Sequence, residues 1–142
     1  MKIKDILKSS TKEVVTISGD KKIFDAIEKL VSNKIGSLLV IDDSKKIVGI
    51  ITERDILHEN FRDYGSTALI SDIMTKDIVI GNLEDEIDYV KDMMINMRFR
   101  HMPILEEKEL IGLVSIGDIL KSQLKDTTFQ CRYYKEYIEG RY

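Results

Sequence analysis

The sequence predicts an α/β (α+β) fold made of two copies of one β-α-β-β-α unit, followed by an amphipathic helix. Three observations carry this reading. The chain has 142 residues, of which 43% are apolar and 33% charged, the make-up of a folded globular chain. Sliding the chain against itself by 63 residues gives 8 identities in the 38 ungapped pairs from Asp20/Leu83 to Leu57/Leu120, where chance gives roughly two or three. Strand-like and helix-like apolar runs also follow one another in the same order in both halves.

The elements of the first copy follow from their patterns. Val14–Ile17 is a short β-rich run. Ile23, Ala26, Ile27, Leu30 and Val31 then recur at i, i+3, i+4, i+7 and i+8, one face of a helix that Asp20 is placed to cap. Ser37–Ile41 reads as a strand, 42–45 as a turn, and Lys46–Ile51 as a second strand. A short helix starts at Glu53. In the second copy, Ile87, Val90, Met93, Met94 and Met97 mark the helix, His101–Leu105 and Leu110–Val114 the strands, and a closing helix starts near Ile116.

The pairing behind the repeat sets Asp25 on Asp88, Asn33 on Asn96, Ile41 on Ile104, Gly49 on Gly112, Asp55 on Asp118 and Leu57 on Leu120. The leading segments match with a small length change: Asp5-Ile6-Leu7 resembles Asp72-Ile73-Met74, and Thr11-Lys12-Glu13 resembles Thr75-Lys76-Asp77. The expected division is a first repeat over 1–62, a linker over 63–70, a second repeat over 71–125 and a helical extension over 126–142. Units of roughly 60 residues are marginal alone, so a shared core is expected.

Composition excludes several classes. The longest apolar runs, Leu38–Ile41 and Ile47–Ile51, are strand-sized, whereas a bilayer span takes about 20 residues. No apolar signal region follows the first lysines, so a cytoplasmic protein is expected. Cys131 stands alone, which leaves no disulfide framework and no cysteine zinc cluster. A net charge of −3 argues against general affinity for nucleic acid. His58-Glu59 lacks a second histidine at position 62, which is Arg, so the zinc-helix pattern is not completed. No glycine-rich phosphate loop occurs, and no nucleophile has a base at a convincing spacing. No metal, no required cofactor and no catalysis are expected.

The informative segments are Gly49-Ile50-Ile51-Thr52-Glu53-Arg54-Asp55 and Gly112-Leu113-Val114-Ser115-Ile116-Gly117-Asp118. In each, a strand ends at a hydroxyl residue and an Asp follows three positions later at a helix start. One reading is a capping box, in which hydroxyl and acid each satisfy the other's backbone N–H. The other is a ligand cradle. A strand-to-helix turn offers N–H groups and the positive end of a helix dipole to a phosphate, and a short acid there suits paired ribose hydroxyls.

With Asp72-Ile73-Met74-Thr75 and Arg98-Phe99-Arg100-His101-Met102-Pro103-Ile104, the two in-register motifs make the chain resemble a pair of CBS (cystathionine-β-synthase) domains up to about Lys125. The resemblance implies clefts between the repeats that bind an adenosine nucleotide, with AMP foremost and ADP, ATP or NADH as the other choices. It also implies a regulatory, non-catalytic role, a homodimer and an unidentified target protein. Carried onto this sequence, Asp118 and Asp55 match the ribose-binding acids, and Ser115 and Thr52 the neighbouring hydroxyls. Arg100 and His101 match the positions that touch phosphate and base. Thr16 and Ile17, with Ile78 and Val79, match the contributions of the leading strands.

The two sites are not equal in sequence. Arg98, Arg100 and His101 precede the Ser115–Asp118 motif, and arginine's planar fork suits phosphate oxygens. The 63-residue slide places Ile35, Ser37 and Leu38 at those positions in the first repeat, leaving Arg54 to compensate. One well-occupied site using Asp118 is therefore expected, with the Asp55 site weaker or empty. Met93, Met94, Met97 and Met102 read as core filling at helical spacing. In the tail, Phe129, Tyr133 and Tyr137, with Tyr134 and Ile138, form an amphipathic stripe that Thr127 or Thr128 is placed to cap. An alternative function follows from it: an interaction module with empty clefts that works through this aromatic helix.

Overall fold

In a computed structural model, residues 1–8, 13–60, 68–125, 132 and 135–139 are described. Residues 63–67 of the expected linker and most of the tail, including Thr127, Thr128, Phe129, Cys131, Tyr133 and Tyr134, lie outside the described residues. The chain forms two packing units that do not follow its sequence halves. One is Glu13–Ile78; the other joins Met1–Lys12 to Val79–Tyr142.

The unit of 13–78 holds β1 (Thr16–Ser18), α2 (Ile23–Asn33), β2 (Ser37–Ile41), β3 (Ile47–Thr52), α3 (Glu53–Asn60) and α4 (Ile70–Ile73). The other unit begins with α1 (Ile3–Lys8) and continues with α5 (Ile87–Met97), β4 (His101–Glu106), β5 (Glu109–Ser115) and α6 (Ile116–Leu124). The segments around Asp5-Ile6-Leu7 and Asp72-Ile73-Met74 are thus helical, and each packs in the unit of the other repeat. The cause is apolar burial. Ile3 and Ile6 sit in one core with Ile87, Val90, Met94 and Ile104. Ile70 sits in the other with Ile23, Leu30, Leu38 and Ile51.

In the first sheet β1 runs parallel to β2 and β2 antiparallel to β3, in the order β1-β2-β3. The second copy keeps the hairpin of β4 and β5. Its expected first strand is reduced to one parallel bridge, Gly81 with Ile104. Each hairpin carries a register shift at the same place, Val40/Ile41 and Ile104/Leu105.

Helix α2 buries Ile23, Ala26 and Leu30, and α5 buries Ile87, Val90 and Met94. Val31 and Met97, expected on the core faces, are 71% and 60% exposed. Each lies about 80° around the helix from the first buried residue, at the margin of the stripe. Asp20 does not cap α2; it accepts from the Ser18 hydroxyl at 2.6 Å. Asp25, three residues into the helix, reaches back instead and accepts from the Lys22 N–H at 3.1 Å.

The buried positions also correct the repeat spacing. Ile23, Ala26 and Leu30 correspond to Ile87, Val90 and Met94, and the left-handed C-caps Lys34 (φ 55°) and Arg98 (φ 57°) correspond to each other. That is a shift of 64 residues. The registers Ser37↔Thr52 and His101↔Ser115 show where it becomes 63. One residue is lost in the second hairpin turn, where Glu107 and Lys108 both take positive φ, the backbone of a tight two-residue connection.

In the tail, Arg132 and residues 135–138 are helical, and Arg132 Nε pairs with Glu136 at 3.3 Å. No described helix is long and apolar enough to cross a membrane.

Candidate ligand site

β5 ends where α6 begins, and this junction forms one of two like corners. Ser115 keeps extended backbone (φ −102°, ψ 161°) and caps the helix. Its N–H donates to Asp118 Oδ2 at 2.9 Å, and the Asp118 N–H donates to Ser115 Oγ at 3.0 Å. The Ile116 N–H donates to the Arg100 carbonyl at 2.9 Å, which ties the approach to β4 onto the start of α6. His101 is the register partner of Ser115. Arg100, His101, Ser115 and Asp118 are thereby gathered at one corner by backbone geometry.

The corner's charges act on one another. Burial holds the His101 imidazole below its ordinary value, the Asp118 carboxylate opposes that, and the Arg100 guanidinium adds to it. Arg98 and Arg100 are exposed, and no described carboxylate lies within ion-pair distance of either. Arg98 closes α5, with its N–H donating to the Met94 carbonyl, and so does not lie on the strand. No described residue donates to Asp118 Oδ1. The capping box is therefore real, and it uses only one of the acid's two oxygens. The other oxygen stands open as an acceptor at the corner where the Arg100 carbonyl meets the start of α6.

The second corner repeats the capping. The Thr52 N–H donates to Asp55 Oδ2 at 3.0 Å, the Asp55 N–H to Thr52 Oγ1 at 3.2 Å, and the Glu53 N–H to the Gly36 carbonyl at 3.0 Å. With the corrected spacing, Gly36 and Ser37 stand where Arg100 and His101 stand in the other corner, and Lys34 stands where Arg98 does. The expected counterparts Ile35, Ser37 and Leu38 are each one residue out of place. Arg54 is exposed on the first turn of α3. Thr16 and Ile17 lie in this unit, on β1. The Thr16 carbonyl accepts from Lys29 Nζ at 2.8 Å. The Ile17 side chain is 5% exposed in the core.

Sequence reasoning passed over Thr75, whose hydroxyl donates to Asp55 Oδ1 at 3.5 Å. The repeated Thr-Lys-acid pattern marked the segment, but only the fold brings it to the acid. An open pocket of about 340 Å³ between β1 and α2 is lined by Ser18, Lys21, Asp25, Glu28 and Lys29 among others. Ile17 also lines it, and no residue of either corner's capping box does. Among the described residues, no three His, Cys, Asp or Glu side chains are grouped to hold a metal ion.

The family model for the CBS domain matches residues 3–61 and 70–125. The inosine-5'-monophosphate dehydrogenase of Nitrosopumilus maritimus is 39% identical over 105 residues, 73% of this chain. This chain spans only about a fifth of that enzyme's length, 21%, and the likeness is to its CBS part. A CBS domain-containing protein of Arabidopsis thaliana, CBSX3, mitochondrial, is 29% identical over 151 residues, covering 99% of this chain and 73% of its own.

Among solved structures, the CBS-domain containing protein ATU1752 from Agrobacterium tumefaciens superposes with a TM-score of 0.82 at 33% identity, covering 86% of this chain and 92% of its own. The CBS domain pair of protein MJ0100, in complex with 5-methylthioadenosine and S-adenosyl-L-methionine, superposes with a TM-score of 0.79 at 25% identity, covering 89% and 98%. CBSX2 in complex with AMP shares the fold with a TM-score of 0.74 at 22% identity, covering 87% and 96%.

Proposed function

This chain belongs to the CBS domain family, and we propose that it is a non-catalytic sensor of an adenosine nucleotide, bound through Asp118. CBS domain pairs are regulatory modules. The observation that carries the proposal is the split use of the Asp118 carboxylate. Oδ2 is held by the Ser115 N–H, which fixes the acid's direction, while Oδ1 is left to accept from a ribose hydroxyl. Arg100 and Arg98 then meet the phosphate, and His101, whose imidazole burial holds below its ordinary value, meets the base. MJ0100 supports the ligand class, since both of its named ligands carry adenosine.

AMP fits this set most simply. ATP and NADH present the same adenosine end, with further phosphate for the exposed arginines. Occupancy is passed on through a homodimer or a target protein in the cytoplasm, where free nucleotide is abundant. The test is a thermal-shift panel of AMP, ADP, ATP, NADH and S-adenosylmethionine. A ligand at 100 times its dissociation constant adds about 2.7 kcal/mol to the stability of the form that binds it. AMP is expected to raise the melting temperature, and Asp118→Ala to abolish the shift. No shift with any member at millimolar concentration would overturn the proposal.

A further inference from the structure

We infer that Thr75 is the residue that keeps the Asp55 corner from taking a nucleotide, so that the chain holds one site rather than two. The inference rests on the proposed function and adds the device that sets the difference between the corners. Both acids give Oδ2 to the cap of their helix. They differ at the second oxygen. Asp55 Oδ1 accepts from the Thr75 hydroxyl at 3.5 Å, whereas no described residue donates to Asp118 Oδ1.

Thr75 is held in place by its backbone. Its N–H donates to the Ile50 carbonyl, and the Ile50 N–H donates to its carbonyl, both at 2.9 Å. This antiparallel bridge lays the Met74–Thr75 segment along β3. Gly49 makes the close approach possible. A Cβ at that position would stand 2.5 Å from Met74 Sδ and 3.0 Å from the Thr75 carbonyl oxygen. In the other unit the corresponding glycine, Gly112, is met by Leu7. Leu7 thus takes the place of Met74, while Thr11, which the sequence pairs with Thr75, lies outside the described residues.

The chemical consequence concerns exchange. A ribose hydroxyl arriving at Asp118 adds a hydrogen bond to a free carboxylate oxygen. One arriving at Asp55 must share Oδ1 with the Thr75 hydroxyl or displace it, so the net gain is smaller. A hydrogen bond to a charged group is worth roughly tenfold or more in binding. Gly36 and Ser37 supply no cation to make up the difference.

Isothermal titration with AMP tests this on the full chain. Wild type is expected to bind one AMP per chain, lost in Asp118→Asn. Thr75→Ala is expected to bind two, the second removed by adding Asp55→Asn, while Thr75→Ser keeps the hydroxyl and stays at one. Thr75→Val, which keeps the β-branched shape, serves if the alanine variant fails to fold by circular dichroism. One site lost in Asp118→Asn, with the count unchanged in Thr75→Ala or its valine substitute, would overturn the role of Thr75 and leave the proposed function standing. Two equal sites in wild type would likewise overturn it. No AMP bound by any variant would take down the proposed function and this inference together.

Discussion

The exchange of leading helices between the two packing units makes a crossed prediction. Ile3 and Ile70 are each fully buried, at 0% exposure, Ile3 in the core with α5 and β4 and Ile70 in the core with α2 and β2. Replacing either by alanine removes three carbons from a packed interior. At about 0.8 kcal/mol per buried methylene the transfer loss is about 2.4 kcal/mol, and the cavity left behind brings it to about 3 kcal/mol. That corresponds to roughly a hundredfold faster amide exchange wherever the unit opens locally. Ile3 precedes the first repeat's strands in sequence, yet Ile3→Ala should speed exchange of the amides of β4 and β5 and spare β2 and β3. Ile70→Ala should do the reverse. Native-state hydrogen exchange read by NMR on both variants checks this. If Ile3→Ala loosened β2 and β3 first, or both hairpins equally, the assignment of α1 to the second unit's core would be wrong.

Two further predictions follow from the site and its surroundings. The His101 imidazole should titrate below its ordinary 6.5 in an NMR titration, lower still in Asp118→Asn, which removes the opposing charge, and higher in Arg100→Ala. Since the folded value lies below the unfolded one, the stability His101 contributes is complete above pH 6.5 and is lost as pH falls through 6.5 toward the folded value. Gly81→Ala should destabilise by about 1–3 kcal/mol in urea unfolding, the usual cost of overpacking. Its Cβ would meet Met102 Sδ and stand 2.9 Å from Ile104 Cδ1, and both of those side chains are fully buried. Gly36→Ala is the control: its nearest neighbour, the Glu53 carboxyl carbon, is an ordinary 3.6 Å away, so the stability should hold within about 0.5 kcal/mol.

Local pattern made much of the fold legible. Alternation and turn residues marked the strands of both hairpins, and the hydroxyl-x-x-Asp spacing marked both capping corners to the residue. Helices α1 and α4 escaped because they span six and four residues, too few turns for a 3.6-residue period to show. Their exchange between units is a tertiary fact that no local pattern carries. The cap of α2 was misread for a geometric reason. Lys22 bridges to Leu69 and stays extended, which starts the helix at Ile23 and turns the capping role over to Asp25. Thr75 was invisible as a site residue because its meeting with Asp55 spans 20 positions of chain.

The repeat spacing shows how the same signal both found and blurred the site. A 63-residue slide scores well because Gly49, Asp55, Ile56 and Leu57 fall on identical residues, and these all lie after the hairpin turn. Before the turn, burial and backbone conformation set the correspondence at 64: Ile23 with Ile87, Leu30 with Met94, Lys34 with Arg98. Identities such as Asp25 with Asp88 in that stretch are coincidences of composition, for Asp25 answers to Tyr89. The one-residue correction changes the electrostatic comparison of the corners. Arg98 no longer separates them, because Lys34 matches its charge and its left-handed conformation. What remains is Arg100 and His101 against Gly36 and Ser37, at the register positions facing the two capping hydroxyls. The Thr75 hydroxyl at Asp55 is the remaining structural difference between the corners. A cation introduced as Gly36→Arg, without the change at Thr75, should raise phosphate affinity there while leaving the ribose end of the site occupied by the protein itself.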